Sequence, residues 1–211
     1  MPPAMSGLRE KQKAAREKRI LQAAVTHFRA RGYQAVRIED LAEVAEVSVG
    51  TVYNYYRTKG DILIAVVAME VEEVLAQGAA IVADPPEGVD IALLELIGCY
   101  YDHSLNYLSK DMWRQAMALA ITASETPNGQ RYAALDRALA DQVTALLETL
   151  QARGDLRADI DPAPLGQLVF NMLNQLFIGF VTDETMRLPA LQAAVADQVR
   201  PLSRLLSTEV P

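Results

Sequence analysis

The sequence predicts an all-helical chain, with a small basic head over residues 1–60 and a larger acidic helical body over residues 61–211. Three observations carry that reading. Apolar residues recur at three- and four-residue spacing through successive segments, no run alternates as a strand does, and the breaks fall at clusters of Pro, Gly and Asn. With 211 residues, 51% of them apolar, the chain has ample material for a core and is unlike a disordered or low-complexity sequence. The net charge of −7 conceals an asymmetry: residues 1–60 hold eleven Lys/Arg against six Asp/Glu, and the remaining 151 hold nine against twenty-one. A basic end on an acidic body points to a segment that meets nucleic acid. For Arg9, Lys11, Lys13, Arg16, Lys18 and Arg19 alone, a merely solvated helix face explains the charge equally well.

A first helix over 9–31 carries Ile20, Leu21, Ala24, Val25 and Phe28 as one stripe and ends at Gly32, a residue suited to the position just past a helix. Ile38, Leu41, Ala42 and Ala45 define a short second helix. Glu46-Val47-Ser48 has room only for a turn, and a third helix follows from Val49. Helix, tight turn, helix is the arrangement whose second helix enters the major groove of DNA. A fourth helix over 61–82 bridges head and body, until Asp84-Pro85-Pro86-Glu87-Gly88 breaks it. A fifth, over 89–108, is apolar nearly all round and belongs inside the body. Ser109 caps a sixth helix to about 124, Pro127-Asn128-Gly129 supplies a turn, and a seventh over 130–153 stops at Gly154. Asp161-Pro162 opens an eighth to about 181; Leu188-Pro189 opens a ninth to about 207, which Pro201 is expected to kink.

The third helix decides what the head does. Successive residues rotate by about 100°, so Val49, Val52 and Tyr56 fall on one side and Gly50, Thr51, Asn54 and Tyr55 on the other, with Tyr53 on the border. Ser48 is a good N-cap. Eight residues make a rod of about 12 Å, comparable with the width of the B-DNA major groove.

The stretch from Ile38 to Leu63, IEDLAEVAEVSVGTVYNYYRTKGDIL, resembles the DNA-binding signature of TetR-family transcriptional regulators, over about residues 16–66. The preceding helix ends in Arg31-Gly32-Tyr33, Val47-Ser48 forms the turn, an aromatic pair follows Gly50-Thr51-Val52-Tyr53, and Lys59 stands ahead of Asp61-Ile62-Leu63. The resemblance implies a homodimer, each subunit having a three-helix DNA-binding domain and about six further helices for effector binding and dimerisation. It implies that Thr51, Tyr53 and Lys59 hold phosphates of a double-stranded operator, while Val49, Gly50, Asn54 and Tyr55 face base edges. Ser48 stands at the helix start, Arg37 and Glu39 are second-rank contacts, and Tyr56 packs. On this reading Asn54→Ala relaxes specificity and Lys59→Ala weakens binding uniformly. Two positions depart from the family pattern. Val36-Arg37 replaces a Thr or Ser cap, and Glu46 stands where Gly is usual, so a non-glycine residue is expected in a left-handed conformation. The loop Gly154-Asp155-Leu156-Arg157, followed by Asp159-Ile160-Asp161, resembles the one before the dimerising helices of many members.

The body offers no catalytic or metal-ligand pattern and no Gly-rich phosphate loop, so neither an enzyme nor a cofactor is expected. Tyr100, His103, Tyr107, Trp113, Met117, Phe170, Asn171, Asn174 and Phe177 are instead candidates for a cavity that takes a small, largely hydrophobic effector, although aromatics on buried helices also serve as core. Leu165, Val169, Leu173 and Leu176, then Leu191, Val195, Val199 and Leu202, form apolar stripes assigned to a four-helix dimer interface, so charging Leu173 is expected to give monomers. Cys99 excludes an intramolecular disulfide and reads as a buried small residue or a redox-sensing thiol. The N-terminal MPPAMSGL has no apolar signal core, and the run 168–181, interrupted by Asn171, Asn174 and Gln175, is short of a membrane span. These features predict a cytoplasmic protein without a membrane partner. The function expected is a transcriptional repressor released by its effector through a shift in population; the alternative is a DNA-binding factor of the same fold without an effector.

Overall fold

The computed structural model describes residues 4–208, and among them it is all-α, as the sequence predicts. The elements are α1 (Ala4–Arg31), α2 (Ile38–Val44), α3 (Val49–Tyr55), α4 (Lys59–Ala83), α5 (Val89–His103), α6 (Lys110–Thr122), α7 (Pro127–Arg153), α8 (Pro162–Thr182) and α9 (Leu188–Leu206). The chain divides into two compact units. The first comprises residues up to 68 together with 107–130, and the second comprises 69–106 and 131–211. Helix α4 runs through the boundary.

The first unit has its core where α1, α2 and α3 meet. Ile20, Ala24 and Phe28 of α1, Leu41 and Ala42 of α2, and Val52 of α3 are buried, and Tyr33 meets Phe28 edge-on at 5.2 Å. Gly32 accepts the left-handed backbone, φ +80°, that turns the chain out of α1, and its N–H closes on the Phe28 carbonyl at 3.0 Å. Helix α6 and the turn after it belong to this unit through specific contacts. Gln34 donates to Gln115 at 3.0 Å, and Asn128 donates to Asp61 Oδ1 at 2.5 Å. Asp61 and Thr58 also bond each other's backbone N–H at the start of α4, a reciprocal cap. Pro127-Asn128-Gly129, expected as a turn, is the first turn of α7. Proline is suited to that position because it has no N–H to leave unsatisfied, and Gly129 N–H donates to Thr126 Oγ1 at 3.3 Å. Helix α5 ends at His103, five residues before the expected bound, where Ser104 folds back on the Tyr101 carbonyl.

In the second unit α9 packs on α5 and α8. Leu93, Leu96 and Ile97 of α5 and Leu191, Val195 and Val199 of α9 are essentially inaccessible, each contributing about 1.5–3 kcal/mol by burial. Tyr101 fastens α5 to α8: its hydroxyl donates to the Leu173 carbonyl at 2.8 Å and its ring stacks on Phe177 at 5.6 Å. A Cβ at Gly166 would overlap Thr144, so glycine lets α8 lie against α7. Asp161 caps α8 by accepting from Ala163 N–H at 3.0 Å, and Pro201 lies within α9 without ending it. The expectation that 168–181 is too short for a membrane span needs correction. Helix α8 extends the run back to Pro162 and is long and apolar enough to cross a bilayer by length and composition alone. The core helix of a soluble protein passes the same test.

Candidate functional site

The short α3 stands at the surface of the first unit with one side anchored. Ser48 caps it as expected, accepting from Thr51 N–H at 3.0 Å, and its hydroxyl also pairs with that of Thr51 at 2.8 Å. Val52 is fully buried and Tyr56 is 5% exposed, with its hydroxyl on Glu17 of α1 at 3.1 Å. Val49 is half-buried. The opposite side is open: Gly50 and Asn54 are exposed, Thr51 is half-buried, and Tyr53 is 49% exposed. The turn before α3 takes the strained form expected of it, with Glu46 at φ +52°; its carboxylate faces Arg19 at 3.5 Å.

At the start of α2 the departure from a Thr or Ser cap has its own remedy. Asp40, three residues on, accepts from the backbone N–H of Arg37 at 2.9 Å, and that bond holds the Asp40 carboxyl below its usual range. The Arg37 and Glu39 side chains are exposed and face each other at 3.7 Å.

Two residues expected at DNA also make contacts within the chain. Lys59 donates to the carbonyls of Tyr33, Gln34 and Val36 at 2.8, 3.1 and 3.0 Å and lies 4.5 Å from the centre of the Tyr33 ring. An ammonium has three N–H groups, and all three meet carbonyls of the loop before α2, so within this chain Lys59 braces that loop. Burial lowers its pKa. Tyr55 is half-buried and its hydroxyl donates to the Lys13 carbonyl at 3.1 Å, so it leans on α1 instead of facing outward with Asn54.

The pattern from Ile20 to Leu63 matches a known family over the same elements. The model for bacterial regulatory proteins of the tetR family fits residues 20–66. The HTH-type transcriptional repressor KstR of Rhodococcus jostii strain RHA1 is 31% identical over 138 residues, 65% of this chain and 58% of that protein. Residues 20–66 are a TetR-family DNA-binding head. The chain spans little more than half the length of that relative in the match, and the match to KstR of Mycolicibacterium smegmatis, 39% identical over 62 residues, takes in 29% of this chain and 30% of that protein. Likeness of fold extends further. A TetR-family regulator of Pectobacterium atrosepticum is 22% identical with a TM-score of 0.73 over 99% of each chain. Thermus thermophilus FadR, a TetR-family repressor solved with lauroyl-CoA, is 24% identical with a TM-score of 0.69 over 92% of this chain and 97% of that one.

The residues expected to line an effector cavity are shared between the two compact units. Tyr107, Trp113 and Met117 fall in the first compact unit, the other six in the second. Several are already engaged. The Tyr100 hydroxyl donates to Gln142 at 2.7 Å, and Gln142 in turn donates to the Leu75 carbonyl, joining α5, α7 and α4. His103 presents Nδ1 to Glu70 at 2.8 Å and Nε2 to Glu73 at 3.2 Å, so both ring nitrogens already face protein carboxylates. Asn171 is exposed and accepts from Gln167 one turn before it. Phe170 and Phe177 are buried, and Asn174 is half-buried. Cys99 is half-buried; burial, then the nearby charge of Asp102, push its thiol pKa up, which opposes the thiolate a redox sensor needs.

The stripes assigned to a dimer interface are largely covered within the chain itself. Leu165, Val169, Leu173, Leu191, Val195 and Val199 are all buried within the single chain, and Leu176 and Leu202 partly so. The outward side of α8 instead carries Leu168, 59% exposed, with Asn171, Gln175 and Gly179.

One residue with no expected role stands out on α7. Asp136 lies in line with the buried Tyr132, Ala140, Val143 and Leu147, where an apolar residue belongs. Burial raises its carboxyl pKa to about 6 from 3.8. Unfolding releases the carboxyl to its ordinary value, so this group costs nothing below pH 3.8 and its destabilising effect grows as pH rises from 3.8 through 6, to about 2–3 kcal/mol. Asp136→Asn is therefore expected to raise the thermal midpoint at pH 8 by about 4–10 °C, with the gain shrinking towards pH 4.5. A gain independent of pH would show that Asp136 is not held in this way.

Proposed function

We propose that this chain is a DNA-binding transcriptional repressor, acting in the cytoplasm as a homodimer and released from its operator by a small, largely hydrophobic effector. The observation that carries the DNA-binding part is Gly50. It sits inside α3, where glycine is less favourable than alanine by roughly 1 kcal/mol. Nothing within the chain requires it, because a Cβ there would meet only Ser48 Oγ, at an ordinary 3.8 Å. A glycine without an internal reason, on the open side beside Asn54 and Tyr53, suits a surface that another body approaches closely. The basic head and the helix-turn-helix geometry favour a DNA duplex as that body.

Asn54 is the side chain best placed to read adenine, while the exposed Arg37 and Tyr53 and the half-buried Thr51 are placed to meet phosphates. The repressor name of the Rhodococcus relative supports the direction of control, and the lauroyl-CoA held by Thermus thermophilus FadR supports an effector with a long apolar part. Two heads are needed to read two half-sites, and the outward face of α8 around Leu168 is the surface proposed for pairing. The test is a gel shift against the gene's own upstream region. Gly50→Ala is expected to stabilise the fold slightly yet weaken operator binding at least tenfold, about 1.4 kcal/mol. Unchanged affinity would mean that this face does not enter a groove.

A further inference from the structure

We infer that the N-terminal part of α1 is a second DNA-contacting surface, with Arg9, Lys13 and Arg16 laid along the phosphate backbone beside the half-site that α3 enters. The inference rests on the DNA-binding reading proposed above and adds to it a contact outside the helix-turn-helix.

A change of character along one line of α1 is the starting point. Steps of three and four residues keep a helix on one side, so Arg9, Lys13, Arg16, Ile20 and Ala24 share a line, within an arc of about 80°. Ile20 and Ala24 are inaccessible in the core of the first unit. Arg9, Lys13 and Arg16 are exposed, and so is every other residue from 9 to 16, whichever side of the helix it occupies. About two turns of α1 therefore stand clear of the core. The line that is apolar where α1 lies against the rest of the head becomes cationic where α1 runs on past it.

Three ties place that free segment beside α3. The Tyr55 hydroxyl, at the end of α3, donates to the Lys13 carbonyl at 3.1 Å, and the Tyr56 hydroxyl donates to Glu17 at 3.1 Å. At the other end, Arg19 faces Glu46, in the turn that leads into α3, at 3.5 Å. Helix α1 thus runs alongside α3, with Arg19 near its beginning and Lys13 near its end. Arg9 lies about 6 Å further along the helix axis, so the cationic line continues past the last residue of α3. It also lies on the side of α1 that carries the head core, of which α3 is part.

Charge then selects the partner. The line sets three cations within about 10 Å, and Glu10, the one acid between residues 9 and 16, lies about 80° away from its middle. Like charges three and four residues apart repel along an isolated helix, and a polyanion relieves that repulsion. With α3 in a groove, the nearest polyanion is the phosphate backbone that borders it. Lys11 and Lys18 point about the opposite way, so they belong to the solvated part of the charge and provide an internal control.

The test uses the full-length protein and a duplex from the gene's own upstream region, with affinity measured by fluorescence anisotropy over a range of salt concentrations. In a variant carrying Arg9→Gln, Lys13→Gln and Arg16→Gln, affinity is expected to fall at least about tenfold on this duplex and on an unrelated one alike. The slope of log affinity against log salt should become shallower by about 0.9 for each cation, roughly 2.7 for each head engaged. Lys11→Gln with Lys18→Gln should leave the slope within about 0.5 of the parent's. Thermal unfolding, expected to match the parent in both variants, separates a lost contact from lost folding. If the triple variant keeps the parent's slope while Gly50→Ala still weakens binding, the assignment of α1 fails and the DNA-binding reading stands. If the two variants lower the slope equally for each cation removed, the charge acts as a diffuse field and the line is not a contact. If the parent binds no duplex even at low salt, both readings fall.

Discussion

Leu168→Glu is expected to convert the protein to a folded monomer that has lost most of its operator affinity. Leu168 is 59% exposed on the outward side of α8, so a carboxylate there costs the isolated chain little, within about 0.5 kcal/mol. In a pair of facing α8 helices the same change buries two like charges against apolar surface, which costs several kcal/mol and abolishes the contact. Sedimentation should then give the monomer mass, with helical content and cooperative unfolding retained. Operator binding should fall by at least a hundredfold, because the second head no longer engages at the high effective concentration that a dimer supplies. Leu173→Glu makes the contrast. Leu173 is 4% exposed and its carbonyl holds Tyr101, so a charge at that position destabilises the subunit itself. The expected result is an insoluble or poorly folded chain rather than a clean monomer. A Leu168→Glu protein that still sediments as a dimer would remove α8 from the interface.

The contrast between Leu168 and Leu173 shows what was legible in the sequence. Helix α8 was placed within a residue of its bounds by Asp161-Pro162 and its apolar run, because caps and periodicity are local signals. Its faces were not, since Leu168 and Leu176 extend the apolar residues beyond one stripe and only α9 and Tyr101 reveal which side the chain itself buries. The same division runs through the head. Ser48, Glu46, Val52 and Tyr56 could be read because a cap, a turn and a helical rotation each depend on neighbours a few residues away. Tyr55 could not, because its partner, the Lys13 carbonyl, lies 42 residues earlier. Asp136 did leave a sign in the sequence: a single carboxylate inside the stripe Tyr132, Ala140, Val143, Leu147 breaks the helical pattern.

Lys59 gives the test with the sharpest separation of two roles. If its ammonium gripped a phosphate, Lys59→Met would weaken operator binding and lower the slope of log affinity against log salt by about 0.9, one counterion fewer being released. The carbonyls of Tyr33, Gln34 and Val36 that surround it lead to a different expectation. Charge-assisted hydrogen bonds contribute roughly 1.5–3 kcal/mol each, but water can reach part of this site, so the loss of all three is expected to cost about 2–4 kcal/mol in total. For a chain of this size that lowers the thermal midpoint by about 4–16 °C. The loop from Tyr33 to Val36 leads straight into Arg37 and the start of α2, so its loosening also misplaces the helix that supports α3. Operator affinity should therefore fall below the melting range of the parent protein while the salt slope stays the same. An Arg37→Met protein supplies the opposite pattern, stability within about 0.5 kcal/mol of the parent and a shallower slope, because Arg37 is exposed and paired only with its neighbour Glu39. A shallower slope in Lys59→Met without loss of stability would return the ammonium to the DNA and would mean that the three carbonyl bonds give way when the duplex binds.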